Sequence, residues 1–172
     1  MHSGRNIANV RERLGASTNE DKGIGANVGT TEVIVGGQYC EKVIPLIKNA
    51  KSTILICAYA WRWYENQPER AIQKFNYEIV KAINRGVTVR AILEVRSTAQ
   101  ILRDIGVIAK SVDTNQVMHI KAITIDDMNL VIGSHNLTKR GTAENYEASV
   151  ILNDASTALT FKDYFESIWA VL

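Results

Sequence analysis

A chain of 172 residues with 46% hydrophobic and 22% charged residues suits one domain with a sizeable core, and it argues against a disordered or a membrane-embedded class. The formal net charge of +2 permits a polyanionic partner without requiring one. The only cysteines are Cys40 and Cys57, the latter inside the apolar run "TILICAYA", so a disulfide framework is excluded and buried free thiols are expected.

Residues 1–30 carry a weak signal. Ile7, Val10 and Leu14 could line a short helix and "GIGANVGT" reads as a linker, so this stretch is expected to be an arm outside a domain spanning residues 31–172. No apolar run approaches the roughly 18 residues of a membrane span, and no signal-type apolar segment is evident near the start. A cytoplasmic protein without stable membrane association is therefore expected.

From Thr31, "TEVIV" reads as a strand, after which Tyr39, Val43, Leu46, Ile47 and Ala50 share a helix face, with Pro45 expected to kink it. "STILICAYA" reads as a buried central strand. Ile72, Phe75, Ile79, Val80 and Ile83 mark a helix opened near Pro68 and stopped by Gly86, and "VTVRAILEV" follows as another strand. A shorter helix covers residues 98–105. Near the end "EASVIL" alternates as a strand, and Ala158, Phe161, Phe165, Ile168, Trp169 and Leu172 line a last helix. The sum is an α/β sandwich: a mixed β-sheet flanked by helices on both faces, with no internal repeat.

The stretch "HIKAITIDDMNLVIGSHN", residues 119–136, carries polar residues at regular positions in an apolar, strand-like run. If Asp127 and Met128 form a two-residue hairpin loop, His119 falls opposite Asn136 and Lys121 opposite Ser134, which gathers all four on one face. A loop one residue longer would flip one strand. Gly133 beside the patch suits a close approach by backbone or ligand. Chemically, a lysine ammonium, a serine hydroxyl and an asparagine amide make an anion cradle suited to phosphate oxygens, with His119 available as nucleophile or proton-transfer group.

His119-x-Lys121-x4-Asp126-x6-Gly133-Ser134-x-Asn136 resembles the signature of the phospholipase D superfamily, and the resemblance to its small bacterial nucleases extends over about residues 31–172. It implies that His119 is the catalytic histidine, that Lys121 and Asn136 hold the phosphate, that Ser134 assists and that Asp126 is mainly architectural. It also implies an acidic residue holding the other imidazole nitrogen, for which Glu147 fits better than Glu144. Family chemistry needs two histidines on opposite sides of the phosphorus, and this chain has one motif. His2 lies in the expected arm, and strand alternation turns His135 away from the patch, as a structural or rim residue. A half-site completed by a homodimer is therefore expected, with no metal and no cofactor.

Around this site "WRWYE" follows the central strand and two cations follow Asn136. Trp61, Arg62, Trp63, Tyr64, Lys139 and Arg140, with Arg96 at another strand end, would suit a nucleic-acid groove, because bases stack on aromatic rings and cations track the backbone. The leading expectation is a metal-independent endonuclease working on DNA ahead of RNA through a phosphohistidine. The alternatives are a phospholipase or phosphatidyl transferase, and a nucleic-acid-binding module with little turnover.

Overall fold

The computed structural model describes residues 29–172, so the expected arm, including Ile7, Val10 and Leu14, lies outside the described residues. Within them the apolar runs form strands β1 Thr30–Val35, β2 Thr53–Ala58, β3 Thr88–Leu93, β4 Ile108–Ser111, β5 Lys121–Ile125, β6 Asn129–Gly133 and β7 Ala148–Asn153. These make one sheet in the order β1-β7-β6-β5-β2-β3-β4. β2, β3 and β4 run parallel, while β5, β6, β7 and β1 pair antiparallel. Helices connect the parallel strands, a tight turn joins β5 to β6, and a longer segment with its own short helix joins β6 to β7.

Five α-helices accompany the strands: α1 Tyr39–Asn49, α2 Ala71–Asn84, α3 Arg96–Asp104, α4 Lys139–Ala143 and α5 Ala155–Val171. β2 is apolar throughout because both of its faces are covered. Ile54 and Ile56 pack with Val43, Ile47, Phe75, Ile79 and Leu102 of α1, α2 and α3. Leu55 and Cys57 pack on the other side with Ala158, Phe161 and Phe165 of α5. Each buried valine, leucine, isoleucine or phenylalanine among them contributes about 1.5–3 kcal/mol. A single helix thus covers the second face, and Arg90 pins it: the guanidinium forms a two-pronged pair with Glu166 at 2.5 and 2.9 Å and lies 4.1 Å from the Trp169 ring centroid.

Pro45 sits inside α1, which extends unbroken from Tyr39 to Asn49, with the proline on the exposed side and Tyr39, Cys40, Val43 and Ile47 buried. The buried face outweighs the missing backbone donor. β4 and α4 were not anticipated. β4 has four residues at the sheet edge, too few for an alternation signal.

The hairpin differs from the expected register. Ile125 pairs with Asn129 and Ala122 with Ile132, which leaves Asp126, Asp127 and Met128 as a three-residue loop closed by a 3.2 Å bond from Met128 N–H to Ile125 O. Asp126 and Asp127 adopt φ of 54° and 52°, a left-handed geometry that aspartate tolerates better than most residues. Asp126 is held there by its carboxylate, which accepts from Lys51 N at 2.8 Å, Ser52 N at 2.8 Å, Thr53 N at 3.0 Å and Ser52 Oγ at 3.0 Å. Desolvation raises its pKa, but these donors outweigh it and hold the carboxyl below the ordinary aspartate value. A depressed carboxyl pKa contributes stability above the unfolded-state value and loses it as the pH falls through the folded one. Asp126→Ala is therefore expected to cost about 2 kcal/mol in urea unfolding at neutral pH, with the gap to wild type narrowing in acid. A constant gap from pH 7 to pH 3 would show that the charge contributes nothing.

Candidate active site

The carboxyl ends of β2, β3, β4 and β6 and the amino ends of β5 and β7 lie at one end of the sheet, the usual place for a site in such architectures. A shallow cleft of about 450 Å³ opens there, lined by His119, Lys121, Gly133, Ser134, Asn136 and Glu147. The expected residues therefore meet, although not by the expected register. In the observed pairing Ala122 faces Ile132, which puts Lys121 beside Gly133. Regular pairing stops there, and the residues on either side leave the sheet and are free of strict alternation.

Each side chain has a definite setting. Lys121 Nζ donates to the His119 carbonyl at 2.8 Å and stands 5.0 Å from the Tyr59 ring centroid. Desolvation lowers its pKa, only partly countered by the charge of Glu147. The Ser134 hydroxyl donates to Glu147 and accepts from Ala148 N at 3.1 Å. Glu147 also accepts from Asn145 Nδ2 at 3.1 Å. Desolvation raises the Glu147 pKa, yet the Ser134 and Asn145 hydrogen bonds and the nearby His135 and Lys121 bring it below the ordinary glutamate value. Within one copy of the chain the carboxylate thus serves Ser134 and Asn145, whereas the resemblance implies a place for it on a catalytic imidazole. Glu144 pairs with Lys139. Asp126 lies at the far end of β5, engaged with the start of β2.

Asn136 is placed by backbone packing. Leu137 N donates to Ala60 O and Arg62 N to Leu137 O, both at 2.9 Å, so the segment after β2 runs alongside the one after β6. Gly141 in α4 presses on it, and a Cβ there would overlap Asn136 O. Gly133 is equally tight, since a Cβ would overlap Ala148 O and Ser149, so its close approach is to backbone. His135 points away from the cleft, is buried, stacks on Tyr39 at 4.8 Å and bonds Ser149 Oγ at 2.7 Å and Gly36 O at 2.9 Å.

The rim differs from expectation at Trp61, which is 1% exposed and donates through Nε1 to Asn76 Oδ1 at 2.8 Å, so it belongs to the core and offers no stacking face. Trp63 is half-buried edge-on against Tyr77. Arg62, Lys139 and Arg140 are exposed, with Lys139 paired to Glu144 and its N–H donating to Tyr64 Oη at 3.0 Å. Arg96 is exposed and paired to Asp113. Two aromatics went unnoticed in the sequence: Tyr59, against His119, and the fully exposed Tyr146, next to Glu147. Gln73 and Asn76 were also missed. They are polar residues buried on the apolar side of α2, where Asn76 Nδ2 donates to Arg62 O at 3.0 Å and Gln73 Oε1 accepts from Tyr64 N at 2.8 Å. Among the described residues no group of three or more His, Cys, Asp or Glu could hold a metal ion, and no helix is long and apolar enough to cross a membrane.

Residues 43–169 match the family model described as "Cardiolipin synthase, PLD-like domain". The chain belongs to the phospholipase D superfamily. Among solved structures, NucT from Helicobacter pylori superimposes with a TM-score of 0.68 at 20% identity, covering 83% of this chain and 96% of that one. Nuc from Salmonella typhimurium, a phospholipase D family member, gives 0.67 at 25% identity, with coverages of 82% and 95%. TrmBL2, an archaeal chromatin protein with a novel mode of DNA binding, gives 0.57 at 18% identity, covering 82% of this chain and 53% of that one. A search of curated proteins found no match. The superfamily signature residues other than Asp126 are the ones that meet in the cleft.

The amide pair on α2 holds the rim. Asn76→Ala, which orphans the Trp61 indole and the Arg62 carbonyl, is expected to destabilise by about 2 kcal/mol. Amide hydrogen exchange should accelerate at Arg62 and Tyr64 ahead of β2, and uniform protection would place the rim's anchor elsewhere.

Proposed function

We propose that this superfamily member is a metal-independent phosphodiesterase, an endonuclease acting on DNA ahead of RNA, with its active site shared between two copies of the chain. The observation that carries the reading is the convergence of His119, Lys121, Ser134 and Asn136 on one cleft. In the proposed reaction neutral His119 attacks phosphorus and forms a P–N bond as the P–O bond to the leaving group breaks. The leaving oxygen takes its proton from His119 of the second copy. Water then attacks the phosphohistidine, giving its proton to that second imidazole, and the first nitrogen departs. Lys121 and Asn136 hold the phosphoryl oxygens, a role that elsewhere falls to a metal ion, and the protonated second His119 completes the charge balance.

The need for a second copy follows from a single motif in the chain and from His135, which is locked in the core. A larger groove of about 810 Å³ opens on the other side of His119, lined by apolar residues that include Val117, Met118, Ile168, Val171 and Leu172. Val117 and Val171 are 65% and 77% exposed, and a two-fold axis passing His119 would cover such a surface. Nucleic acid as substrate is supported by the exposed Arg62 and Arg140 beside Asn136, by the resemblance to small bacterial nucleases and by the DNA-binding archaeal protein of the same fold.

Cleavage of labelled DNA in excess chelator is the first test, with RNA and phosphatidylcholine as parallel substrates. Activity abolished by chelator and restored by magnesium would overturn the mechanism, and turnover of the lipid alone would make the protein a phospholipase.

Sharing of the site is tested by exchanging wild-type chains with His119→Asn chains. At equal amounts only about one quarter of the dimers keep two wild-type histidines, whereas independent sites would keep about one half of the activity. A linear loss with mutant fraction, after exchange has been demonstrated by sedimentation, would mean that one chain is sufficient.

A further inference from the structure

We infer that Tyr59 is a positioning residue whose ring fixes the orientation of the His119 imidazole and of the Lys121 ammonium together; the inference rests on the catalytic reading of those two residues. Its ring centroid lies 4.9 Å from that of His119, the planes inclined at 59°, and Lys121 Nζ stands 5.0 Å from the same ring. No other side chain contacts both groups in this way among the described aromatic pairs. The backbone that carries the ring is fixed, because Tyr59 follows the last residue of β2 and its N–H donates to Ile120 O at 3.1 Å, between the two residues it serves.

Among the described residues of one copy of the chain, His119 has no carboxylate support. The carboxylate nearest the motif, Glu147, is committed to Ser134 and Asn145, and among the described residues no hydrogen bond reaches either imidazole nitrogen. An aromatic ring packs against the imidazole without taking up a nitrogen lone pair that must act as nucleophile. For Lys121 the effect is electrostatic. A ring face favours the cation, opposing the desolvation that favours the neutral amine. The titratable residues around Lys121 are Glu147, whose charge acts on it, Tyr59, whose ring it faces, and His119, which it contacts through the backbone carbonyl. Tyr59 is 37% exposed, so its ring is not an essential part of the core.

The experiment compares Tyr59→Phe and Tyr59→Leu, with Tyr59→Met as a second non-aromatic variant in case the leucine variant fails to fold. The full chain is used throughout. Phe should retain wild-type kcat within a few-fold, whereas Leu or Met should lower kcat by about 10- to 100-fold with KM little changed, the size of loss that follows a small misplacement of a reacting group. Lys121 itself should neutralise at lower pH in the non-aromatic variants, since it loses its ring, which NMR titration of its side chain reads directly. Proton NMR of the imidazole in the absence of substrate gives an independent reading: the ring-current shift on the His119 signals should persist in Phe and vanish in Leu and Met. Wild-type kcat and an unchanged Lys121 titration in a non-aromatic variant would overturn the assignment, and so would a Phe variant as impaired as Leu, which would transfer the role to the hydroxyl. If no phosphodiester is cleaved even by wild type, the functional reading fails, while the NMR comparison still decides whether Tyr59 holds His119.

Discussion

The tie between the Asp126 carboxylate and the N–H groups of Lys51, Ser52 and Thr53 is the constraint on which the rest of the site depends. It clamps the β5–β6 loop to the start of β2, at the end of the sheet opposite the cleft. Because strand pairing is rigid over five residues, a clamp at Asp126 sets which residue of β5 sits beside Ala58, and that residue is Lys121. A slip of one residue would exchange the faces of β5, sending Ile123 toward α5 and Lys121 toward the wrong side. The motif aspartate therefore acts at a distance through register, which accounts for its place in a signature whose other members line a cleft.

At the cleft end the precision comes from crowding. Gly133 allows the start of β7 to close on the end of β6, and Gly141 allows α4 to press on Asn136. Between them His135 fills the space under the loop, its imidazole stacked on Tyr39 and bonded at both nitrogens. A histidine so placed has both ring nitrogens in use, which explains how two histidines in one short motif divide into a core residue and a cleft residue.

Much of this was legible in the chain. Apolar runs and helical spacing located β2, β3, α2 and α5, because each buries a wide face that demands a long periodic signal. The cleft residues were legible as chemistry, but the geometric argument that first gathered them was off by one residue, since a loop of two aspartates and a methionine carries no turn signal as strong as Asn-Gly. Their meeting was preserved because β5 begins at Lys121 and β6 ends at Gly133, after which alternation no longer applies. Trp61 was misplaced for a related reason: composition marks a tryptophan near a strand end as available, whereas only the buried Asn76 reveals that its indole is already satisfied. Tyr59 was overlooked because one tyrosine in "AYA" has no pattern around it, and its importance exists only once β2 and β5 are paired.

The charges in the cleft define how a phosphate would be held under the proposed reading. Lys121 is the single lysine lining it, and Glu147 lines it too with a carboxyl pKa held low, so the two formal charges cancel and the bare cleft offers no net positive charge. A phosphodiester brought there would be left uncompensated if these groups alone surrounded it. Neutral donors, the Asn136 amide and the Ser134 hydroxyl, improve the fit without changing that balance. A second copy related by a two-fold axis adds another lysine and another glutamate and still leaves the sum at zero. What alters the sum is a proton on one of two facing imidazoles, and that same proton is the one the leaving oxygen requires. Under that reading the charge balance and the need for an acid would both fall on the second His119, and a cleft with one imidazole would lack either the acid or the neutral nucleophile.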